Sequence, residues 1–160
     1  MNYFKISLGI FISLAVTRLI PHPPNFTSLI ALSFYVPALL GTRYLPSLVI
    51  CFIITDLIIG FHSLTLFTWG SVLLIGFISK FFNRNLYLRF SGVVFGACLF
   101  FLITNFGVWL LGSYGYTLNG LFSSYILAIP FFGNTLISTI LYALIIETIY
   151  KFFLEKKLFN

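Results

Sequence analysis

Charge is what this chain has least of. Asp and Glu together number 3 and Lys and Arg 9, so charged side chains make up 8% of 160 residues. A soluble domain carries about 25%, and with so little polar surface a water-exposed globule cannot be covered. A soluble enzyme, a secreted disulfide scaffold and a disordered chain are thereby excluded. Cysteine is also scarce: Cys51 and Cys98 lie inside apolar runs, with no CxxC or Cys/His spacing, so neither a disulfide framework nor a zinc site is expected. The Gly-x-x-x-x-Gly-Lys loop, the Gly-x-Ser-x-Gly elbow and His-Glu-x-x-His are all missing, so no catalytic residues are assigned and the chain is read as a non-enzyme without a cofactor.

What is abundant is apolar. Hydrophobic types reach 60%, aromatics 20%, and Phe alone counts 21. The runs are solidly apolar rather than alternating, which favours spanning helices over a β-barrel. Breaks at Pro, Gly and charge predict an all-α integral membrane protein, a single domain over residues 1–160 with six transmembrane helices. Their expected spans are 3–20, 26–41, 44–60, 64–82, 90–111 and 131–153. The stretch 121–130 is left over, as an interfacial or re-entrant segment or the kinked start of the sixth helix, because Pro130 removes a backbone donor there.

The basic residues orient this layout. With the N-terminus cytoplasmic, Lys5, Arg43, Lys80, Arg84, Arg89, Lys151, Lys156 and Lys157 all fall inside, and Arg18 alone falls outside. This positive-inside bias places both termini in the cytoplasm. The net charge of +6 then needs no nucleic-acid partner, and the bilayer is the expected partner.

The remaining polar residues gather at the outer end: Arg18, His22, Asn25, Asp56, His62, Asn105, Trp109 and Asn134. Asp56 inside a span costs roughly 2.5–3.5 kcal/mol on insertion scales unless paired or hydrated, and Arg18 lies at similar depth. Two readings stand side by side: a structural ion pair, and a pair that floors an outward cavity and touches a solute. Pro21-His22-Pro23-Pro24-Asn25 is a stiff turn in which Asn25 is placed to cap the second helix. His22, His62 and Asp56 share a side but not a metal-ligand spacing, so no metal site is assigned, although coordination of a metal-bearing solute stays open. Asn105 and Trp109, spaced i, i+4, share one helix face, as an interface anchor or as a wall for a ring-shaped solute. Trp69, Tyr114 and Tyr116 are read as interface anchors, and Glu147 with Lys151 as an i, i+4 anchor at the inner boundary. Small-residue stripes, Gly9-x-x-x-Ser13-x-x-x-Thr17 and Gly92-x-x-x-Gly96, allow close helix packing within the chain or against a partner.

The segment Arg18-Leu19-Ile20-Pro21-His22-Pro23-Pro24-Asn25-Phe26-Thr27 carries a further signal. Together with Asp56-Leu57-Ile58-Ile59-Gly60-Phe61-His62, Thr104-Asn105-Phe106-Gly107-Val108-Trp109 and Ile129-Pro130-Phe131-Phe132-Gly133-Asn134-Thr135, it resembles an uncharacterised family of small bacterial inner-membrane proteins with a Pro-His-Pro-Pro-Asn-Phe-Thr-Pro signature. The chain departs from that signature at Ser28. In size and layout it also resembles the S components of energy-coupling factor vitamin transporters. That resemblance implies a solute pocket roofed by outer loops, and a first-helix stripe (here Gly9, Ser13 and Thr17) that docks a transmembrane coupling subunit with ATPases. The expected function is capture of a small vitamin-like solute. The alternative is a structural or assembly subunit of a larger membrane complex.

Overall fold

The computed structural model describes residues 3–158, with side chains as far as Phe152. Seven helices follow one another: α1 (Tyr3–Leu19), α2 (Leu29–Leu40), α3 (Leu45–Ile59), α4 (Thr65–Ile78), α5 (Leu86–Leu110), α6 (Leu118–Ile126) and α7 (Ile129–Leu158). Short 3-10 turns at Thr42–Tyr44 and Ser79–Phe81 precede α3 and extend α4. Among the described residues three stretches are long and apolar enough to cross a membrane: Thr42–Ile59, Leu86–Leu110 and Ile129–Phe152. Leu29–Leu40 and Thr65–Phe81 are apolar but shorter.

The elements differ from the expected six in instructive ways. Residues 26–28 count toward an apolar run but belong to a turn, so α2 has only 12 residues, a rise of roughly 18 Å against a hydrocarbon core of about 30 Å. Asn25 does not cap it: this residue sits at φ 62°, and Ser28 precedes the helix without a side-chain capping bond. The leftover stretch 121–130 belongs to a separate helix, α6, which begins earlier, at Leu118. Thr117 caps it by accepting a hydrogen bond from Gly120 N at 3.0 Å. α7 then starts at Ile129, which puts Pro130 in its first turn, where the missing N–H costs nothing. Likewise α5 starts at Leu86 rather than residue 90, because Asn85 Oδ1 accepts from Leu88 N at 2.9 Å and fixes the end.

α2 is the hub, packed against α3, α4, α5 and α7. Its Phe34 and Tyr35 are almost completely buried with Ile75, Val93, Ala97 and Ala143. Glycine makes this closeness possible at α5. A Cβ on Gly92 would come within 2.6 Å of the Phe34 ring, and one on Gly96 within 3.1 Å of Ile75 Cγ2. The Gly92/Gly96 stripe is therefore taken up inside the chain and presents no face to a partner helix. α1 lies parallel to α3 along one flank. Tyr3 stacks on Tyr44, Ser47 Oγ donates to Ser7 Oγ at 2.7 Å, and Arg18 meets Phe52, Thr55 and Asp56.

One end of the bundle collects the loop around His22, the turn at His62, the segment around Tyr114 and the α6–α7 junction. The other end collects the start of α1, the turn at Arg43, and the loop bearing Lys80 and Arg84. A buried ion pair closes this second end. Arg89 Nε and a terminal guanidinium nitrogen donate to the two Glu147 oxygens at 2.6 and 2.8 Å. Glu147 was expected to pair with Lys151 along its own helix; the fold gives its carboxylate to Arg89 instead. A two-pronged guanidinium fork satisfies a buried carboxylate better than a single helix-surface contact. Lys156 and Lys157, part of the expected basic face, lie outside the described side chains.

Removing one partner of such a pair leaves an uncompensated buried charge. Glu147→Leu alone is expected to cost about 3–5 kcal/mol, read as a lower unfolding midpoint in detergent. The double variant Arg89→Met/Glu147→Leu is expected to recover most of that loss.

Candidate functional site

The parallel register of α1 and α3 brings Arg18 beside the last turns of α3. Its guanidinium donates to Asp56 Oδ1 at 2.5 Å, to Phe52 O at 3.4 Å and to the Thr55 hydroxyl, and it lies 4.6 Å above the Phe52 ring. The second Asp56 oxygen accepts from Trp69 Nε1 at 2.6 Å. Asp56 is 1% exposed, so both of its oxygens are occupied and neither meets solvent. Trp69, expected as an interface anchor, instead ties α4 to this carboxylate. The spacing of 13 residues across a turn carries no sequence signal for that contact.

Above this triad lie the two histidines, both exposed. His22 Nδ1 is 2.8 Å from Pro23 O, which can only accept. In the neutral ring Nδ1 therefore carries the proton and Nε2 keeps its lone pair. His62 is the converse. Its Nδ1 accepts from Leu64 N at 3.2 Å, so in the neutral ring Nε2 bears the proton. The turn holding His62 is closed by Thr65, whose hydroxyl donates to His62 O at 2.7 Å.

Two adjoining cavities occupy this end. The first, about 430 Å³, is lined by Asn25, His62, Tyr114 and Asn105, by Phe100, Phe101, Phe131 and Phe132, and by the hydroxyl-bearing residues Thr68, Thr104, Ser124 and Thr135. The second, about 380 Å³, is lined by Arg18, His22, Asn25, Thr27, Phe52 and His62 among others. They share Asn25, His62, Thr68, Phe100 and Thr135. Arg18, His22, Asn25, His62 and Asn105 thus meet around one divided space.

The other expected site residues lie elsewhere. Asp56 sits behind Arg18 and lines neither cavity. Trp109 is half-buried against Phe106, and its Nε1 donates to Thr117 O at 3.1 Å, which braces the start of α6. Asn134 Nδ2 donates to Pro24 O at 3.0 Å and so holds the proline-rich loop onto α7. Ser138 Oγ donates to Thr135 O at 3.0 Å and lies 3.5 Å from Asn25 O. Asn105 and Trp109 therefore do not form a common wall, although they share a helix. Sequence reasoning passed over Thr68, Thr104, Ser124 and Thr135, whose only mark is a hydroxyl inside an apolar run. Of the small-residue stripe on α1, Thr17 turns inward to Ser28 Oγ at 2.8 Å, while Gly9 and Ser13 stay exposed. Among the described residues no group of three or more His, Cys, Asp or Glu is arranged to hold a metal ion.

The chain belongs to DUF6580, a family of unknown function, whose match spans residues 2–159. No curated protein and no solved structure is significantly similar to it.

The triad beneath the cavities gives a graded expectation. Trp69→Phe removes one charge-assisted hydrogen bond and is expected to cost about 1.5–3 kcal/mol. Asp56→Leu strands Arg18 and is expected to cost more, about 3–5 kcal/mol. Thermal unfolding of the detergent-solubilised variants would check the order, and equal losses would contradict it.

Proposed function

We propose that this member of a family of unknown function is a membrane-embedded binding protein that captures a small solute at the His22 end. The observation that supports this reading is the pair of adjoining cavities. Arg18, His22, Asn25, His62 and Asn105, which are far apart in sequence, meet around them. A space of this size, aromatic on several sides and set with a few convergent polar groups, has the form of a small-molecule site. In this reading the triad of Arg18, Asp56 and Trp69 floors the site. The proline-rich loop, held by Asn134, forms its rim.

The topology belongs to the same proposal. Six segments cross or partly cross the bilayer, both termini face the cytoplasm, and the solute enters from the outer side. The segregation of Lys5, Arg43, Lys80, Arg84 and Arg89 away from the His22 end supports that orientation. The layout is like that of the S components of energy-coupling factor transporters, so energy for uptake would come from a coupling subunit with ATPases. This likeness is one of layout alone.

A second reading, an assembly subunit of a larger membrane complex, is favoured by the opposite flank. There a groove of about 700 Å³ is lined by Gly9, Ser13, Tyr35, Leu39 and Ile149, and the Tyr35 hydroxyl is buried without a hydrogen-bond partner.

Mass spectrometry of small molecules co-purifying with the detergent-solubilised chain separates the two. Capture predicts one enriched solute, reduced about tenfold or more in Asn105→Leu while the unfolding midpoint stays within a few degrees. A chain that carries no solute but co-purifies with a stoichiometric membrane protein would favour the assembly reading.

A further inference from the structure

Resting on the solute-capture reading, we infer that the solute is uncharged at its ring-bearing part and approaches the first cavity with N–H or O–H donors. Four hydroxyls of the lining residues place their protons on their own helices. Thr68 donates to Thr65 O at 2.8 Å, Thr104 to Phe100 O at 2.8 Å, Ser124 to Leu121 O at 2.7 Å and Thr135 to Phe131 O at 3.0 Å. Each is a bond back to the preceding turn of its own helix, and each spends the only proton of that group. What these oxygens still offer is lone pairs. All four residues are more than nine-tenths buried. Asn105, 8% exposed, is mixed: one amide N–H donates to Phe101 O at 2.8 Å, which leaves its second N–H and its carbonyl oxygen for a solute.

Charge agrees with polarity. No Asp, Glu, Lys or Arg side chain lines the first cavity. The nearest cation is Arg18, on the second cavity, and its charge is already matched by Asp56. A carboxylate or phosphate entering the first cavity would give up its hydration and meet oxygen lone pairs, with no formal positive charge in return. An amide, amine or hydroxyl on a ring would fill the acceptors while the ring packs among Phe100, Phe101 and Phe132. These phenyl groups already form an aromatic wall, with Phe101 and Phe132 centroids 4.5 Å apart. His62, bearing its proton on Nε2, and the second amide N–H of Asn105 supply donors for an acceptor on the solute.

The test uses the full chain in detergent and matched probes, read by saturation-transfer NMR. Nicotinamide is compared with nicotinate and with N,N-dimethylnicotinamide, and pyridoxine with 4-pyridoxate. These probes hold the ring constant while changing the charge or removing the donor. Nicotinamide and pyridoxine are expected to bind, with each carboxylate and the dimethyl amide at least tenfold weaker. Thr104→Val and Thr135→Val keep shape and lose a lone-pair acceptor, and each is expected to weaken nicotinamide about five- to tenfold, the worth of one hydrogen bond. Tighter binding of the carboxylates, or an unchanged affinity in both Val variants, would overturn the donor assignment and leave capture standing. An anionic ring compound found co-purifying with the chain would do the same. If no probe binds and nothing co-purifies, the capture reading falls and the assignment with it.

Discussion

A carboxylate buried in an apolar helix bundle must have every oxygen answered, and Asp56 organises one end of this molecule on that condition. Left alone in a span it would cost roughly 2.5–3.5 kcal/mol on insertion scales. Arg18 takes one oxygen and Trp69 the other. Because these partners come from α1 and α4, satisfying one side chain on α3 ties three helices together. It also fixes how far Arg18 can reach, since the same guanidinium is held by Phe52 O and Thr55. The histidine-bearing loops are then built above a floor that is charged atom by atom but neutral as a whole.

The same economy operates at the other end, where Arg89 and Glu147 join α5 to α7. Both pairs join helices, and both leave their surroundings without a net charge. The first cavity inherits that neutrality. Its polarity comes instead from hydroxyls back-bonded to their helices, from the buried Asn105, and from Asn25, His62 and Tyr114. Back-bonding of this kind serves two purposes in an apolar setting. It keeps a hydroxyl from being an orphan donor, and it turns the side chain into a directed acceptor.

Some of this was legible in the residues and some was not. The apolar runs marked where helices lie, and the proline-rich turn marked where the first one stops. Of the polar residues that meet around the cavities, Arg18 and Asn105 stood out because each is costly in an apolar run, and His22, Asn25 and His62 because they share the outer turns. Other readings failed for one common reason. Pairing along a helix is visible at i, i+4, but pairing between helices depends on register and rotation. Thus Glu147 was matched to Lys151 when its partner is Arg89, 58 residues away. Trp69 was left as an anchor when its partner is Asp56. Gly92 and Gly96 left open packing within the chain or against a partner, and register decides it: Phe34 and Ile75 fill the space above them. The length of α2 failed differently: hydropathy sees Phe26 and Thr27 as part of a run, whereas the turn through Asn25 at positive φ uses them to change direction.

Composition by itself determined that the chain is helical and apolar and that its sparse charges must be paired or placed at an end, because the cost of a bare charge away from water depends on residue type and not on detail. The order of the helices follows from the same one-dimensional signal. Which charge meets which, where a cavity opens, and which hydroxyls keep a free lone pair were decided only when seven helices packed. Those outcomes depend on angles and registers between segments far apart in the chain. A pattern read along one strand of residues holds no information about the rotation of the next.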